Sequence, residues 1–574
     1  MKSGCSPTNP QNRELLVLGY QGTLEPYPNL HQAAGTGCHP AANGTAIPGV
    51  SPPWMEMLLE PLLTDAIQRL ERRVPAVQRV FGGEPIPTDS LLGILRERLR
   101  GILAQAIAAC PLNADDPMLS IERDLVREFP ALFPLLRQAV SEWAAATAAF
   151  HDRLHRDEPR LATWLRIAAM PPVESVSRTA SDTHPGGHMV LRIVFRGGRC
   201  LYYKPRPVTG EWLWHRLLRT VAEAEPALCL PAGRVLAGNP ARYGWAESVL
   251  PRHGLPAESL YGNVEACSDT SAYWHAAGAM LCLAQHARLT DLHLDNIIAT
   301  PSGPAVTDAE CLATPEVLPP RSSGDSRGST RVAAFLDSLL GTGLLPGNSA
   351  TDLPDTSGLF GAAGPVSGIG LPQWAIDLDG RYHLTSTPAA LLDHGNAPST
   401  VSALAVLPEI RSGYRQAAGA LLSSRKALIA QGARWRFVLE RAHAPRVVLR
   451  DTLTYAILLN QSLEPHRLRS RNGRQSTLLR TLRGSAPTDL PEAVLRTELH
   501  ALLHLHVPRL ITLPDTRTLA SGSGRSLASS FAGCTPAEAV IRQMEGLSRD
   551  TLEAVQVPAL LLAILSYRNP ARPG

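Results

Sequence analysis

The period of the apolar residues changes sharply near residue 189, and that change limits the folds open to this chain. From Trp54 to about Ile167, apolar residues recur every three or four positions. MLLEPLLTDAIQRLERRV and LLGILRERLRGILAQAIAA each present one apolar stripe, and Pro134 can open a further helix through LLRQAVSEWAAATAAFHDRLH. MVLRIVF (189–195) then reads as a strand, Gly197–Gly198 as a tight turn and CLYYK (200–204) as the returning strand. A second glycine pair, Gly186–Gly187, stands just before this hairpin. Helical spacing returns in WLWHRLLRTVAEA and in AYWHAAGAMLCLAQHA (272–287), which runs within three residues into DLHLDNIIAT. The expectation is an α+β fold with large helical regions on either side of a small sheet.

The chain has 574 residues, enough for two to four packed units, and at 44% hydrophobic residues it can fill a large core. Its net charge of +4 is too small to argue for nucleic acid, and aromatics at 5% weaken any base-stacking role. Nine scattered cysteines form no CxxC pair, which fits a reducing cytoplasm. Cys38–His39 lacks partners at finger-like spacing. There is no signal-like N-terminus and no apolar run of membrane-spanning length, so the expected location is cytoplasmic, with no transmembrane segment. Composition divides the chain into an irregular segment 1–50, a helical region 51–175, a core 176–317, a Pro/Gly/Ser-rich flexible insertion 318–372 and a mainly helical part 373–574.

Phosphoryl transfer needs a cation on the nucleotide phosphates, metal ligands, a residue orienting the acceptor hydroxyl and backbone that approaches the phosphates closely. Candidates for each occur in kinase order. Gly186 and Gly187 precede the hairpin, and Lys204 ends its second strand. Asp291 and Asn296 stand five apart, the spacing of a catalytic aspartate and a metal-binding asparagine. Asp308 ends an apolar approach twelve residues later. Oxygen ligands of this kind suit Mg²⁺, which leans on substrate phosphates. Taken singly, each has a plainer reading: Lys204 as a solvated strand end, and DLHLDN as an Asp/Asn-rich turn capping the next element.

Five segments together resemble the dehydratase domain of class II lanthipeptide synthetases: YYKPRPV (202–208), YGWAESV (243–249), TDLHLDNIIA (290–299), TDAEC (307–311) and RVVLRDTLTYAILL (446–459). LRTELHALLHLHVPRLITLPDTRTL (495–519) is a weaker match without the acidic-aromatic character of that family's motif. The resemblance spans roughly residues 140–565. It implies a lipid-kinase-like (phosphoinositide-kinase-like) two-lobed catalytic core. It also implies ATP and Mg²⁺ as cofactors and a leader-core precursor peptide as partner, with phosphorylation of Ser or Thr followed by loss of phosphate. Lys204, Asp291, His293, Asn296 and Asp308 would serve phosphorylation. Asp182 and His184, in SDTHPGG, with Arg446 and Thr452, would serve elimination. Tyr455 and Glu498 match further functional positions.

Elimination needs a base for the α-proton and a cation or donor at the departing phosphate, and the planar, always-charged guanidinium of Arg446 suits the second task. Plainer readings remain beside these: His184 before Pro185 as a turn residue, and Arg446 and Thr452 as a surface arginine and a helix cap. The Arg-rich stretch 466–484 reads as a solvated loop or helix face. Full synthetases continue into a zinc-binding cyclase domain, and this sequence stops about where the dehydratase ends. The expectation is therefore no zinc and no ring closure, with a separate cyclase in trans or a split or truncated synthetase. Two alternatives stand beside the dehydratase: a peptide or small-molecule kinase without elimination, and a non-catalytic peptide-binding relic.

Overall fold

The computed structural model describes residues 47–48, 53–110, 117–179, 183–239, 241–248, 270–300, 302–315, 338–346, 355–361, 364–376, 382–391, 404–450, 452–484 and 490–565. Helices and several small sheets make up the chain, an α+β composition. The chain divides into two compact units, each discontinuous in sequence. The first is Met1–Pro205 with Pro365–Ala390 and Arg450–Pro508; the second is Arg206–Gly364 with Leu391–Leu449 and Arg509–Gly574. Among the described residues, no helix is long and apolar enough to cross a membrane.

In the first unit, the helices Pro53–Arg73, Asp89–Ala108 and Leu132–Leu165 pack together. Met55, Leu59, Leu63, Ala66 and Leu70 are all buried, so the stripe at three- and four-residue spacing is the face turned to the core. Pro134 lies in the first turn of the long helix, where its missing N–H has no intrahelical acceptor to lose. The Trp143 indole N–H donates to the Leu91 carbonyl at 2.9 Å and ties two of these helices. The strands Val173–Arg178, Leu191–Phe195 and Cys200–Lys204 pair antiparallel in that order. Leu191, Ile193 and Phe195 point inward opposite Tyr203 and Leu201, and Gly197 and Gly198 take the positive φ that the turn requires. A register shift between Val173 and Ser175 lets Val173 and Val176, three apart, both turn inward.

The second unit is built on the helix Thr270–His286, buried along almost its whole length and packed on Leu407–Ile429. Two glycines set how closely these helices approach. A Cβ on Gly278 would lie 2.0 Å from the Ile410 carbonyl oxygen, and one on Gly413 would lie 1.8 Å from that of His275. Leu213, Leu217, Val221, Tyr414 and Leu560 belong to the same core. At its heart Tyr414 donates to Gln285 at 2.6 Å and to Gln556 at 3.2 Å.

Strands also occupy residues read above as helical or flexible. Gly364–Ile376 and Tyr382–Leu391 pair in one sheet. Arg446–Val447, Leu510–Thr512, Leu519–Ser521 and Ser526–Ala528 form a four-stranded antiparallel one. Strands of two or three residues carry too short an alternation to be seen against the helical background. The segments 1–50 and 318–372 lie largely outside the described residues.

Candidate functional site

The loop after Thr270–His286 is shaped by its own alternation. Leu292 and Leu294 are buried, so Asp291, His293 and Asp295 between them are left only partly covered. Backbone bonds from Leu292 N–H to the Thr342 carbonyl (2.9 Å) and from Leu294 N–H to that of Thr356 (3.0 Å) brace the loop on both sides. Asp291 has φ +65°, a left-handed conformation that costs an ordinary residue energy and is often found where geometry serves a site. The Asn296 amide donates to the Asp291 carbonyl at 2.8 Å and meets His293 Nε2 at 3.0 Å. The Asp291-x4-Asn296 spacing therefore closes a compact loop in which its two ends meet.

An antiparallel hairpin, Ile297–Thr300 with Gly303–Val306, then returns the chain, and Thr307 N–H donates to the Asn296 carbonyl at 2.9 Å. That return brings Asp308 beside the loop. One Asp308 oxygen accepts from the Glu310 backbone N–H at 2.9 Å, and the other from Arg206 at 2.7 Å. Arg206 is buried and is also held by Glu211 at 2.8 Å and by Glu310 at 3.2 Å. Burial works against its charge, but the three carboxylates outweigh it and raise its pKa well above the ordinary value. Gly210 permits this packing, because a Cβ there would lie 2.2 Å from the Ala309 carbonyl oxygen.

Glu310 is the hub. Its Oε1 accepts from Arg446 at 2.9 Å, and its Oε2 faces Arg509 at 3.3 Å. The Arg446 backbone N–H donates to the Glu310 carbonyl, and Arg446 Nη1 lies 3.9 Å from Asp291 Oδ2. With its side chain 11% exposed, Arg446 is not a surface arginine. Burial pushes the Asp291 carboxyl above its ordinary pKa; His293 and Arg446 pull it back, and Asp308 and Glu310 add to the rise. Burial also lifts the Cys311 thiol, 3.9 Å from the same carboxylate, well above its ordinary range. The second unit thus brings together Asp291, His293, Asn296, Asp308 and Arg446. It adds Arg206, Glu211, Glu310 and Arg509, which sequence reading did not single out. Glu310 lies within the quoted TDAEC, and Arg206 stands two residues after Lys204. An arginine or glutamate in a loop carries no periodic signal.

The remaining candidates lie in the first unit. His184 opens a turn in which Gly186 (φ +86°) and Gly187 (φ +74°) take conformations suited to glycine, and a Cβ on Gly187 would come within 3.3 Å of the Glu142 backbone. His184 Nδ1 lies 3.2 Å from the Val507 carbonyl. Lys204 is buried, which excludes a solvated strand end. Tyr455 donates to Glu498 at 2.6 Å, and Glu498 is held by Arg450 at 2.9 Å; all three are buried. Asp182 lies outside the described residues, and Thr452 is described only as the first residue of the helix Thr452–Gln461. In the Arg-rich stretch, Arg474 is buried against the carbonyls of Ser462, Leu502 and Leu503, while Arg469, Arg471, Arg480 and Arg483 are exposed.

Among the described residues, no three His, Cys, Asp or Glu side chains cluster as metal ligands. Mg²⁺ held by one or two protein oxygens and substrate phosphates needs no such cluster. Asn296, whose amide nitrogen is engaged but whose carbonyl oxygen is a free acceptor type, and Asp308, with lone pairs beyond its two hydrogen bonds, are of the right chemistry.

The sequence profile of a family described as "Domain of unknown function (DUF4135)" matches residues 129–512, about two thirds of the chain, and takes in every candidate side chain above. The chain belongs to that family. It is also similar to a curated protein of Lactococcus lactis subsp. lactis named "Lacticin 481/lactococcin biosynthesis protein LcnDR2", at 19% identity over 468 residues. The match covers 78% of this chain and 47% of that protein, so the chain spans about half of the relative's length.

Proposed function

We propose that this chain is an ATP-dependent dehydratase that acts on a ribosomally made lanthipeptide precursor, with a lipid-kinase-like core. The observation that carries the reading is the Asp291–Asn296 loop closed against Asp308, with the Arg446 guanidinium beside Asp291. The name of the Lactococcus relative and the five-segment resemblance point the same way.

In the first step Asp291 accepts the proton of a Ser or Thr hydroxyl as its oxygen attacks the γ-phosphorus of ATP, and the bond to ADP breaks. A carboxylate whose pKa is raised is a better base at neutral pH than an ordinary one. Asn296 and Asp308 would hold Mg²⁺, which when bound would supply positive charge to the phosphates. Lys204 meets the nucleotide phosphates and His293 orients the loop. In the second step a base from the Asp182–His184 turn removes the α-proton. The freed electron pair forms the Cα=Cβ bond, the Cβ–O bond breaks, and inorganic phosphate leaves with its charge met by Arg446 and a hydroxyl donor at Thr452. The product is dehydroalanine from Ser or dehydrobutyrine from Thr, which a cyclase acting in trans would receive.

The test is to incubate the protein with ATP, Mg²⁺ and the precursor peptide encoded beside its gene, and to follow the peptide mass. Loss of one water per modified residue is the expected result. Phosphopeptide that only accumulates would show a kinase without elimination. An unchanged mass with a verified substrate would refute both catalytic readings.

A further inference from the structure

The guanidiniums around Glu310 are not equally supplied with negative charge. Arg206 has two carboxylates of its own, Glu211 at 2.8 Å and Asp308 at 2.7 Å. Glu310 is shared by all three arginines: Arg206 lies 3.2 Å from its Oε2, Arg446 meets its Oε1 and has Asp291 besides at 3.9 Å, and Arg509 meets its Oε2, the one carboxylate that Arg509 contacts among the described residues. Arg446 and Arg509 are also the more open, their side chains 11% and 14% exposed against 8% for Arg206. Glu310 thus acts as a spacer that holds the Arg446 and Arg509 guanidiniums side by side at the edge of the site, and Arg509 is the less supplied of the two. Arg509 is held in place by its own backbone. Its carbonyl accepts from Gly522 N–H at 2.7 Å, and its stem lies against Gly522, where a Cβ would come within 3.2 Å of it. Arg509 turns Nε and Nη2 towards Glu310, which leaves the other edge of its fork for a second anion.

We infer that Arg509 is a phosphate-binding residue, pairing with Arg446 to clamp the phosphate monoester of the phosphorylated peptide as it departs. Two planar guanidiniums set by one carboxylate suit a tetrahedral dianion, because each presents parallel N–H donors to its oxygens. Charge grows on the phosphate as the Cβ–O bond breaks, so donors already in position favour that step over the ground state. The inference rests on the dehydratase reading above and extends it to a residue that the family resemblance did not supply.

Arg509→Met keeps the stem against Gly522 and removes the charge; Arg509→Lys keeps the charge and removes the fork. Two measurements separate the outcomes. In the first, inorganic phosphate is titrated into the protein by calorimetry; wild type binds, Arg509→Met binds at least about tenfold more weakly, and Arg509→Lys lies between, as loss of a charge-assisted pair requires. In the second, the precursor is followed by mass through a time course. Elimination slows by about a hundredfold in Arg509→Met, so phosphopeptide builds up, and Arg509→Lys recovers part of the rate. If Arg509 only braces Glu310, phosphate affinity is unchanged and both steps fall by the same factor with no phosphopeptide, and the inference is overturned. Phosphate binding that Arg509→Met weakens, in a protein that never changes the peptide mass, overturns the dehydratase reading while leaving the anion site standing. Equal phosphate binding in wild type and variant, with dehydration intact, overturns the inference alone.

Discussion

Glu498 offers a sharp test of whether a buried charge in the first unit is kept for stability or for chemistry. It is fully buried, held by Arg450 through two contacts (2.9 and 3.3 Å) and by the Tyr455 hydroxyl at 2.6 Å, and Arg450 also donates to the Leu482 carbonyl. Glu498→Ala leaves the Arg450 guanidinium buried without its carboxylate, which costs about 3–5 kcal/mol. Tyr455→Phe removes one hydrogen bond to a charged acceptor, about 1.5–3 kcal/mol. The triple variant Arg450→Met/Glu498→Leu/Tyr455→Phe removes both charges and the hydroxyl together. The Leu482 carbonyl then loses a donor but no buried charge is left uncompensated by the change, so the triple variant is expected to lose less than Glu498→Ala, about 1–3 kcal/mol. Urea unfolding at equal slope measures these differences as shifts of midpoint. A triple variant as unstable as Glu498→Ala would refute the argument that the uncompensated charge is what costs. Mass-based dehydration by the refolded triple variant then separates the roles. Activity near wild type assigns the trio to the scaffold; loss of activity in a stable protein assigns Tyr455 or Glu498 to the reaction.

Gly413→Ala drives a methyl into the His275 carbonyl, 1.8 Å from the built Cβ, and should destabilise the second unit by about 1–3 kcal/mol or more, read as a lower urea midpoint; an unchanged midpoint would mean that the two helices part without cost. Asp291→Asn should slow phosphorylation by about 10²- to 10⁴-fold. Because burial raises the Asp291 carboxyl, the wild-type phosphorylation rate should fall as pH drops through a range above that of ordinary carboxylates, and a flat profile down to pH 4 would remove Asp291 as the base. His151, His286 and His443 are buried with pKa values lowered to about 4, in each case mainly by burial. The unfolded chain takes up protons on them first, from about pH 6.5 downward, so stability present above that pH is lost progressively towards pH 4. Replacing His151 with Leu should flatten part of that loss, and an unaltered pH profile would argue against it.

Local signals carried much of this protein. The stripe from Met55 to Leu70, the 191–204 hairpin with its two glycines and the alternation of buried Leu292 and Leu294 with the partly covered His293 each depend on neighbours a few residues away, so their spacing is visible in the chain itself. The juxtaposition of Asp291, Asn296 and Asp308 was legible for the same reason: one short loop and one tight hairpin connect them. Sequence spacing did not reveal Glu310 as the meeting point of Arg206, Arg446 and Arg509. Arg206 and Arg446 are joined only through a fold that returns the chain to the same carboxylate, and Arg509 arrives from a third segment. Nor did it reveal that Tyr455 and a buried arginine, Arg450, meet on the Glu498 carboxylate. Ion pairs between distant segments impose no period on a sequence, because any charged residue in any loop can supply one. The sequence by itself determined the helical stripes, the 191–204 hairpin and the Asp291–Asn296 spacing; the tertiary structure alone decided which charges meet, because those contacts join segments far apart in the chain.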